Sequence, residues 1–234
     1  MKKPRKITFI LCALNEEKAI GKVIDRIPRD LARKTEIIVV DNASTDRTGE
    51  IARSKGAKVI VERKRGKGNA LLTGFRNVSK DSEYVLMIDA DNTYSPEEAG
   101  RLLELLQSGF ADVVIGSRLS GRIEGGALSY LNRVGNWVIT FLVRVLYRGT
   151  ITDVTTGFVA WKRPVIDKLA LYCNSGGFGI ETEMLTKICR LGYSVYSVPI
   201  TYQNRIGSSR LRPFSDGAKI ITIIGKNLFW TPDK

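Results

Sequence analysis

Five short, mainly apolar runs, at residues 7–13, 37–40, 59–61, 84–88 and 113–115, punctuate the first half of the chain. Each has the length and composition of a strand buried on both faces. Between them apolar residues recur at helical spacing. Ile20, Val23, Ile24, Ile27 and Leu31 form one set, which Pro28 ends or kinks; Ile51 and Ala52 belong to a second. Leu71, Leu72, Phe75 and Val78 follow, then Leu102, Leu103, Leu105 and Leu106. Ser44, Thr45 and Asp46 are helix-capping types, and Ser95-Pro96-Glu97-Glu98 reads as a capping box with proline at the first helical position. Four β-α repeats followed by a strand predict an α/β fold with a mostly parallel sheet flanked by helices. Ligands bind such sheets beyond the carboxyl ends of the strands. Polar residues stand at those ends: Asn15 and Glu16, Asp41, Asp89 and Asp91, and Arg118.

The second half is less regular. Residues 121–127 read as a glycine-rich loop, and residues 134–147 as a strongly apolar stretch with a single charge, Arg144. That stretch is shorter than the roughly 20 apolar residues of a membrane span, so it is a core helix or an interfacial one. A polar turn at 153–157 precedes a strand at 158–161. A helix over 180–191, a strand over 195–200 and an amphipathic helix over 215–230 complete the chain. No internal repeat or domain boundary is visible, so a single domain spanning 1–234 is expected.

Composition narrows the chemistry. There are 37 Lys and Arg against 24 Asp and Glu, a formal charge of +13. This favours polyanionic partners: nucleic acid, nucleotides, phosphates or an anionic membrane surface. Histidine is absent, which removes Ser-His-Asp and Cys-His catalysis in their usual forms. It also disfavours zinc, so a metal here would sit among oxygen ligands, as Mg or Mn does. Cys12, Cys173 and Cys189 form no CxxC pair and read as reduced, mostly buried thiols in a cytosolic setting. Lys2, Lys3, Arg5 and Lys6 precede the first apolar run, but Asn15-Glu16-Glu17 closes that run at once, as a first strand and not a signal peptide would.

Asp89-Ala90-Asp91 is the sharpest signal. Two carboxylates just past a buried strand can converge on one hard cation, with a nucleotide diphosphate completing its shell; the alternative is a pair of loop aspartates capping the next helix. Asp41, also at a strand end, can accept hydrogen bonds from a base or ribose, or simply serve the turn. Gly66-Lys67-Gly68, near Arg63, Lys64 and Arg65, lacks the P-loop spacing and the dinucleotide fingerprint. It is a phosphate-approaching loop or a solvated basic one. Arg118, Arg133, Arg205, Arg210 and Arg212 as a set suggest more than one phosphate group.

These segments carry a resemblance. Ala13-Leu14-Asn15-Glu16-Glu17, the run from Val40 to Asp46, Asp89-Ala90-Asp91 and Gly116-Ser117-Arg118 resemble successive motifs of family 2 glycosyltransferases with the GT-A (Rossmann-like) fold. Leu131-Asn132-Arg133, Asp153-Val154-Thr155-Thr156-Gly157-Phe158, Gly179-Ile180-Glu181-Thr182-Glu183 and Val198-Pro199-Ile200 with Tyr202, Arg205 and Gly207-Ser208-Ser209-Arg210-Leu211 are similar to the dolichyl/polyprenyl-phosphate mannosyltransferase and glucosyltransferase group. The resemblance implies a nucleotide-sugar-binding half over 1–120 and an acceptor-binding half over 121–234. Ala13, Asn15, Glu16, Asp41, Lys67 and Asp89 would bind the donor, and Asp89 and Asp91, with Thr93 able to add an oxygen, would hold Mg or Mn. Arg118 and Arg133 would hold the acceptor phosphate, and Arg205 would lie on a loop closing over the donor. The catalytic set is then Asp91, Arg118, Arg133 and Arg205. Many mannosyl members carry Gln two residues after the second aspartate; here the run is Asp91-Asn92-Thr93. Arg210 replaces a more usual Lys.

The reaction so implied is inverting transfer of a hexose to a polyprenyl or dolichyl phosphate, with GDP-mannose favoured as donor and UDP-glucose or UDP-GlcNAc as alternatives. A phosphate monoester is already anionic at neutral pH, its second pKa being about 6, so no histidine is needed as base. The expected setting is peripheral, on the cytoplasmic face of the membrane. Trp137, Phe141 and Tyr147 would lie at the interface, with or without a membrane-anchoring protein. Two rivals remain at this point: a family 2 transferase with a sugar-hydroxyl acceptor, which needs a general base, and a non-catalytic nucleotide- or nucleic-acid-binding protein. Nucleic acid is not expected as a partner, because the aromatics sit in apolar runs and the paired aspartates would repel a phosphate backbone.

Overall fold

The computed structural model describes residues 3–208 and 212–232. Strands and helices alternate as β1 (Lys6–Ala13), α1 (Ile20–Arg26), β2 (Lys34–Asp41), α2 (Thr48–Ser54), β3 (Lys58–Val61), α3 (Lys67–Arg76), β4 (Tyr84–Met87), α4 (Ala99–Gln107) and β5 (Val113–Ile123). Then come α5 (Tyr130–Tyr147), β6 (Val159–Lys162), α6 (Arg163–Tyr172), α7 (Ile180–Arg190), β7 (Val195–Tyr202) and α8 (Pro213–Leu228). One seven-stranded sheet has the order β3-β2-β1-β4-β6-β5-β7 and draws strands from both halves of the chain. β6 alone runs antiparallel to its neighbours, β4 and β5. The chain steps from β1 outward to β2 and β3, then returns to the other side of β1 as β4. That reversal opens a crevice beyond the carboxyl ends of β1 and β4.

Alternation along β1 shows why the sheet is covered on both sides. Ile7, Phe9 and Leu11 enter a core shared with Val23, Ile24 and Leu102, while Ile10 enters the opposite core with Leu71, Phe75 and Trp161. Phe75 meets Trp161 edge to face, with centroids 5.5 Å apart. Each fully buried large side chain contributes about 1.5–3 kcal/mol, and a strand buried on both faces collects that gain at every position.

Three local expectations change. Ser95 does not cap with its side chain, whose Oγ accepts instead from Arg26 Nη2 at 3.4 Å; Glu98, its expected capping-box partner, turns to β7 and accepts from the Thr201 amide at 2.8 Å. Residues 121–123 of the expected glycine-rich loop are instead the end of β5. A Cβ at Gly121 would lie 2.0 Å from the Ile200 carbonyl oxygen, so glycine lets the two strands close. α6 had no counterpart in the sequence pattern; it starts directly after β6, with proline in its first turn.

Phe9→Ala should lower stability by about 3–5 kcal/mol. Chemical denaturation is the check, with the midpoint falling and the slope unchanged.

Candidate active site

Three strand-end turns that frame the crevice use left-handed backbone at non-glycine residues: Asn15 (φ 55), Ala43 (φ 60) and Asn92 (φ 66). Such strain persists only where surroundings hold it. Here Asn15 accepts the Thr45 amide at 2.7 Å, and its own amide donates to Ser44 Oγ at 2.9 Å. The loops after β1 and β2 are thereby locked together. Asp41 pairs with Ala13 in the β1–β2 register and accepts the Ser44 amide at 2.9 Å.

Past β4, Asp89 and Asp91 each meet a cation of the chain itself. Lys67, the first residue of α3, sets its Nζ 2.7 Å from Asp89 Oδ1 and 2.6 Å from Glu181 Oε1. Burial opposes the ammonium charge, but the two carboxylates overcome it and hold the Lys67 pKa well above the lysine range. Burial also pushes the Glu181 carboxyl up, while Lys67 pulls it down. Asp91 is buried; its Oδ1 accepts from the Thr93 amide at 3.0 Å and the Thr93 hydroxyl at 2.5 Å, and its Oδ2 faces Arg205 Nη1 at 3.0 Å. Burial and the neighbouring Asp89 raise the Asp91 pKa, against the pull of Arg205 and Thr93. Arg205 also reaches Glu16 Oε1 at 2.9 Å.

The glycines beside Lys67 serve packing. A Cβ at Gly66 would sit 2.1 Å from the Gly176 carbonyl oxygen, and one at Gly68 1.8 Å from that of Ser175. Glycine at both positions lets the start of α3 lie against the 175–176 backbone, which fixes Lys67 over the crevice.

Two cavities meet at Lys67, Asp89, Asp91, Phe178 and Arg205. The smaller, about 150 Å³, extends toward Ala13, Glu16 and Asn42. The larger, about 540 Å³, has a polar floor that includes Arg118, Thr155, Glu181 and Tyr202. Its walls rise between α5 and α8 and are largely apolar, with Leu128, Leu131, Ile139, Pro213, Phe214 and Ile220, though Asn132 and Asn136 of α5 also face it. The crevice thus joins a charged pocket to an amphipathic one.

Residues 8–170 match the family described as Glycosyl transferase family 2. The chain belongs to that family. This glycosyltransferase is 35% identical over 214 residues to the dolichyl-phosphate hexose transferase of Haloferax volcanii, covering 92% of this chain and 90% of the relative. It is 29% identical over 230 residues to the undecaprenyl-phosphate mannosyltransferase of Micrococcus luteus, covering 93% and 92%. Among solved structures it resembles the glucosyl-3-phosphoglycerate synthase of Mycobacterium tuberculosis in complex with Mn2+, UDP and glucosyl-3-phosphoglycerate. That likeness has a TM-score of 0.74 and 27% identity, and covers 98% of this chain and 82% of the other. The GT-A fold expected from the motifs agrees with this likeness.

The glycosyltransferase brings most of its expected site residues together: Ala13, Glu16, Lys67, Asp89, Asp91, Arg118 and Arg205 all line one cavity or both. Asn15, in the loop after β1, and Asp41, the last residue of β2, line neither cavity. Thr93 is buried and spends its hydroxyl on Asp91. Arg133 is exposed on the first turn of α5 and does not line the larger cavity. Arg210, with Ser209 and Leu211, lies outside the described residues. Sequence reasoning assigned no role to Glu181, Asp153 or Phe178. The signal for Glu181 was its place in Glu181-Thr182-Glu183, two carboxylates in the first turn of α7 directly after a glycine-rich turn.

Removing Lys67 leaves Asp89 and Glu181 facing each other without a cation. Lys67→Met should cost about 3 kcal/mol, the low end for an orphaned buried charge because Asp89 is partly solvated; thermal unfolding of the ligand-free protein reads it. Cys12 lies beside Lys67, and burial pushes its thiol up to about 12, partly opposed by the ammonium. Only the thiolate is alkylated, so the rate of Cys12 labelling by iodoacetamide should rise about tenfold per pH unit between roughly pH 8 and 11. Peptide mass mapping measures it.

Proposed function

We propose that this enzyme transfers a hexose from a nucleotide-sugar to a polyprenyl phosphate at a membrane surface, with inversion at the sugar. The observation that carries the reading is the larger cavity, whose charged floor suits a phosphate and whose apolar walls between α5 and α8 suit a prenyl chain. A sugar-hydroxyl acceptor would want neither the apolar walls nor the arginine. The relatives named for dolichyl and undecaprenyl phosphate support the same acceptor class.

The donor side fits a divalent cation, Mg or Mn. Its donor set would be hard carboxylate oxygens, Asp89 and Asp91, with Thr93 orienting Asp91. Among the described residues no cluster of three or more acidic or sulfur ligands stands ready, and the ammonium of Lys67 and the guanidinium of Arg205 serve as the resident counter-cations. The related synthase solved with Mn2+ and UDP supports the assignment. The chemistry such a cation supplies is electrostatic, offsetting charge on the departing diphosphate. Once Asp89 and Asp91 have another partner, Lys67 keeps Glu181 and Arg205 keeps Glu16, and both cations are freed to face the donor's phosphates. Asp41 and Asn15 frame the nucleoside end. Arg118 faces the acceptor phosphate, and its charge reduces the repulsion between two anionic substrates. We assign Arg133, exposed on the membrane-facing helix, to long-range attraction of the acceptor. GDP-mannose is the donor to test first, followed by UDP-glucose and UDP-GlcNAc.

The membrane reading rests on α5 and α8. Tyr130, Leu131, Val134, Trp137, Phe141 and Val145 of α5 are exposed, Trp137 at 61% and stacked on Phe141. Phe214 and Ile221 of α8 extend the patch. Tyr147, expected to join them, instead turns inward and donates to the Ile224 carbonyl at 2.6 Å. Aromatic and aliphatic side chains beside Arg133, Arg144 and Lys219 suit the headgroup boundary of an anionic bilayer. Among the described residues no helix is long and apolar enough to cross a membrane. The cytoplasmic face and a separate anchoring protein belong to this proposal as its outer terms.

The test combines polyprenyl phosphate, Mg2+ or Mn2+, and the panel of sugar nucleotides. Expected is a metal-dependent lipid-linked sugar, absent with chelator and reduced at least 10³-fold by Asp91→Ala, of the order seen when a key electrostatic group is removed. Donor turnover with no lipid-linked product would defeat the proposed acceptor. Separately, Trp137→Ser with Phe141→Ser should release the protein from anionic vesicles in a flotation assay.

A further inference from the structure

α5 packs polar side chains inward over its middle turns. Exposed apolar residues lie on its outward face, while the residues it buries are Asn136, Thr140 and Val143, spaced four and three apart along one stripe, with Ile139 and Tyr147 partly buried against the core. A helix that packs polar groups inward does so where they have partners. The partner is Asp153, fully buried in the loop before β6.

Asp153 holds Arg118 in a two-point fork: Nε donates to Oδ2 and Nη2 to Oδ1, both at 2.7 Å. The Arg118 backbone amide adds a bond to Oδ2 at 2.9 Å. Asn136 Nδ2 then donates to Asp153 Oδ1 at 2.7 Å. Thr140 fixes which way the Asn136 amide points, since its hydroxyl donates to Asn136 Oδ1 at 3.3 Å and accepts the Val154 amide at 3.1 Å. Arg118 Nη2 has one further bond, to Thr155 Oγ1 at 2.9 Å, and the guanidinium lies over the Tyr202 ring at 5.3 Å. Burial opposes the Arg118 charge, and Asp153 more than restores it, keeping the group firmly cationic. Among the described residues, Nη1 is the one guanidinium nitrogen without a hydrogen-bond acceptor, and Arg118 lines the floor of the larger cavity.

We propose that Asp153 and Asn136 are positioning residues for Arg118: a relay from α5 through one buried carboxylate that presents Nη1 to the acceptor phosphate. This rests on the acceptor reading of Arg118 given above. The relay costs Arg118 one edge and fixes the other. A free arginine side chain could sample many rotamers; forked on Asp153 and stacked on Tyr202, it offers its donor in a single direction. Because the outer face of the same helix is the one proposed to meet the bilayer, the acceptor's entry wall and its phosphate anchor move as one body.

The test measures steady-state KM for polyprenyl phosphate and for the donor separately, in the intact enzyme with cation present. Asn136→Ala leaves the Arg118 fork in place and removes the bond that ties Asp153 Oδ1 to α5; Asn136 also lines the larger cavity, whereas Thr140 does not, so the two variants are read together. Expected is an acceptor KM raised about tenfold with the donor KM changed less than twofold. Thr140→Val, which only unlocks the Asn136 amide, should raise the acceptor KM about threefold in the same sense. A merely structural role would lower the unfolding temperature without this split. Arg118→Lys, which keeps a charge for Asp153 but loses the fork, is the control on the parent reading. If Arg118→Lys raises the acceptor KM while both α5 variants fold and leave it within twofold, the relay is overturned and the acceptor assignment stands. If Arg118→Lys leaves it unchanged, both are overturned. Equal rises in donor and acceptor KM would also overturn the relay.

Discussion

Asp153 has no contact with solvent, yet it accepts hydrogen bonds from three donors of Arg118 and one of Asn136. One carboxylate thereby joins the middle of β5, the loop leading to β6 and the second turn of α5. A buried charge left with fewer partners would be costly, and a buried pair broken on one side is strongly destabilising. The chain therefore cannot move α5 away from the sheet without exposing or orphaning that charge. The larger cavity inherits its shape from this constraint, since α5 supplies one wall and Arg118 part of the floor.

The donor side follows the opposite logic. Asp89, Asp91 and Glu181 crowd together, and the cations that hold them, Lys67 and Arg205, each bridge two carboxylates. A bridged cation can lose one partner and keep the other. Asp153 makes a closed network, whereas Lys67 and Arg205 make exchangeable ones. The contrast matches what each end would have to do: an acceptor anchor that stays fixed, and a donor pocket whose internal counter-ions give way to a ligand's own charges.

The parallel sheet was legible because a strand buried on both faces is mainly apolar along its length, as β1 and β4 and the 37–40 stretch of β2 are. The place of Asp89 and Asp91 at the crevice was legible because they directly follow such a run, and both line the two cavities. What stayed hidden depends on contacts between distant segments. β6 is four residues long and passes into α6 with no intervening turn, so neither its antiparallel direction nor its place between β4 and β5 leaves a local mark. Lys67 meets Glu181, and Arg118 meets Asp153, only because the sheet brings their loops together. The capping box failed for the same reason: Glu98 found the Thr201 amide of β7, a stronger claim than its own helix end.

Residues 134–147 show how an apolar stretch can be read correctly as a helix and still leave its faces unassigned. Apolar composition says that the helix avoids water somewhere; it does not say which stripe is inside. The usual inference, apolar inward, holds when the inner surface is a hydrophobic core. Next to Asp153 the inner surface is polar, so Asn136 and Thr140 have better partners inside than water offers, and Trp137 and Phe141 are left to the outside. The polar stripe is thus a consequence of the buried carboxylate: once Asp153 is committed to Arg118, the helix that covers it must be polar where it touches, so Asn136 and Thr140 take the inner positions there, and Ile139, Val143 and Tyr147 meet the core on either side of them.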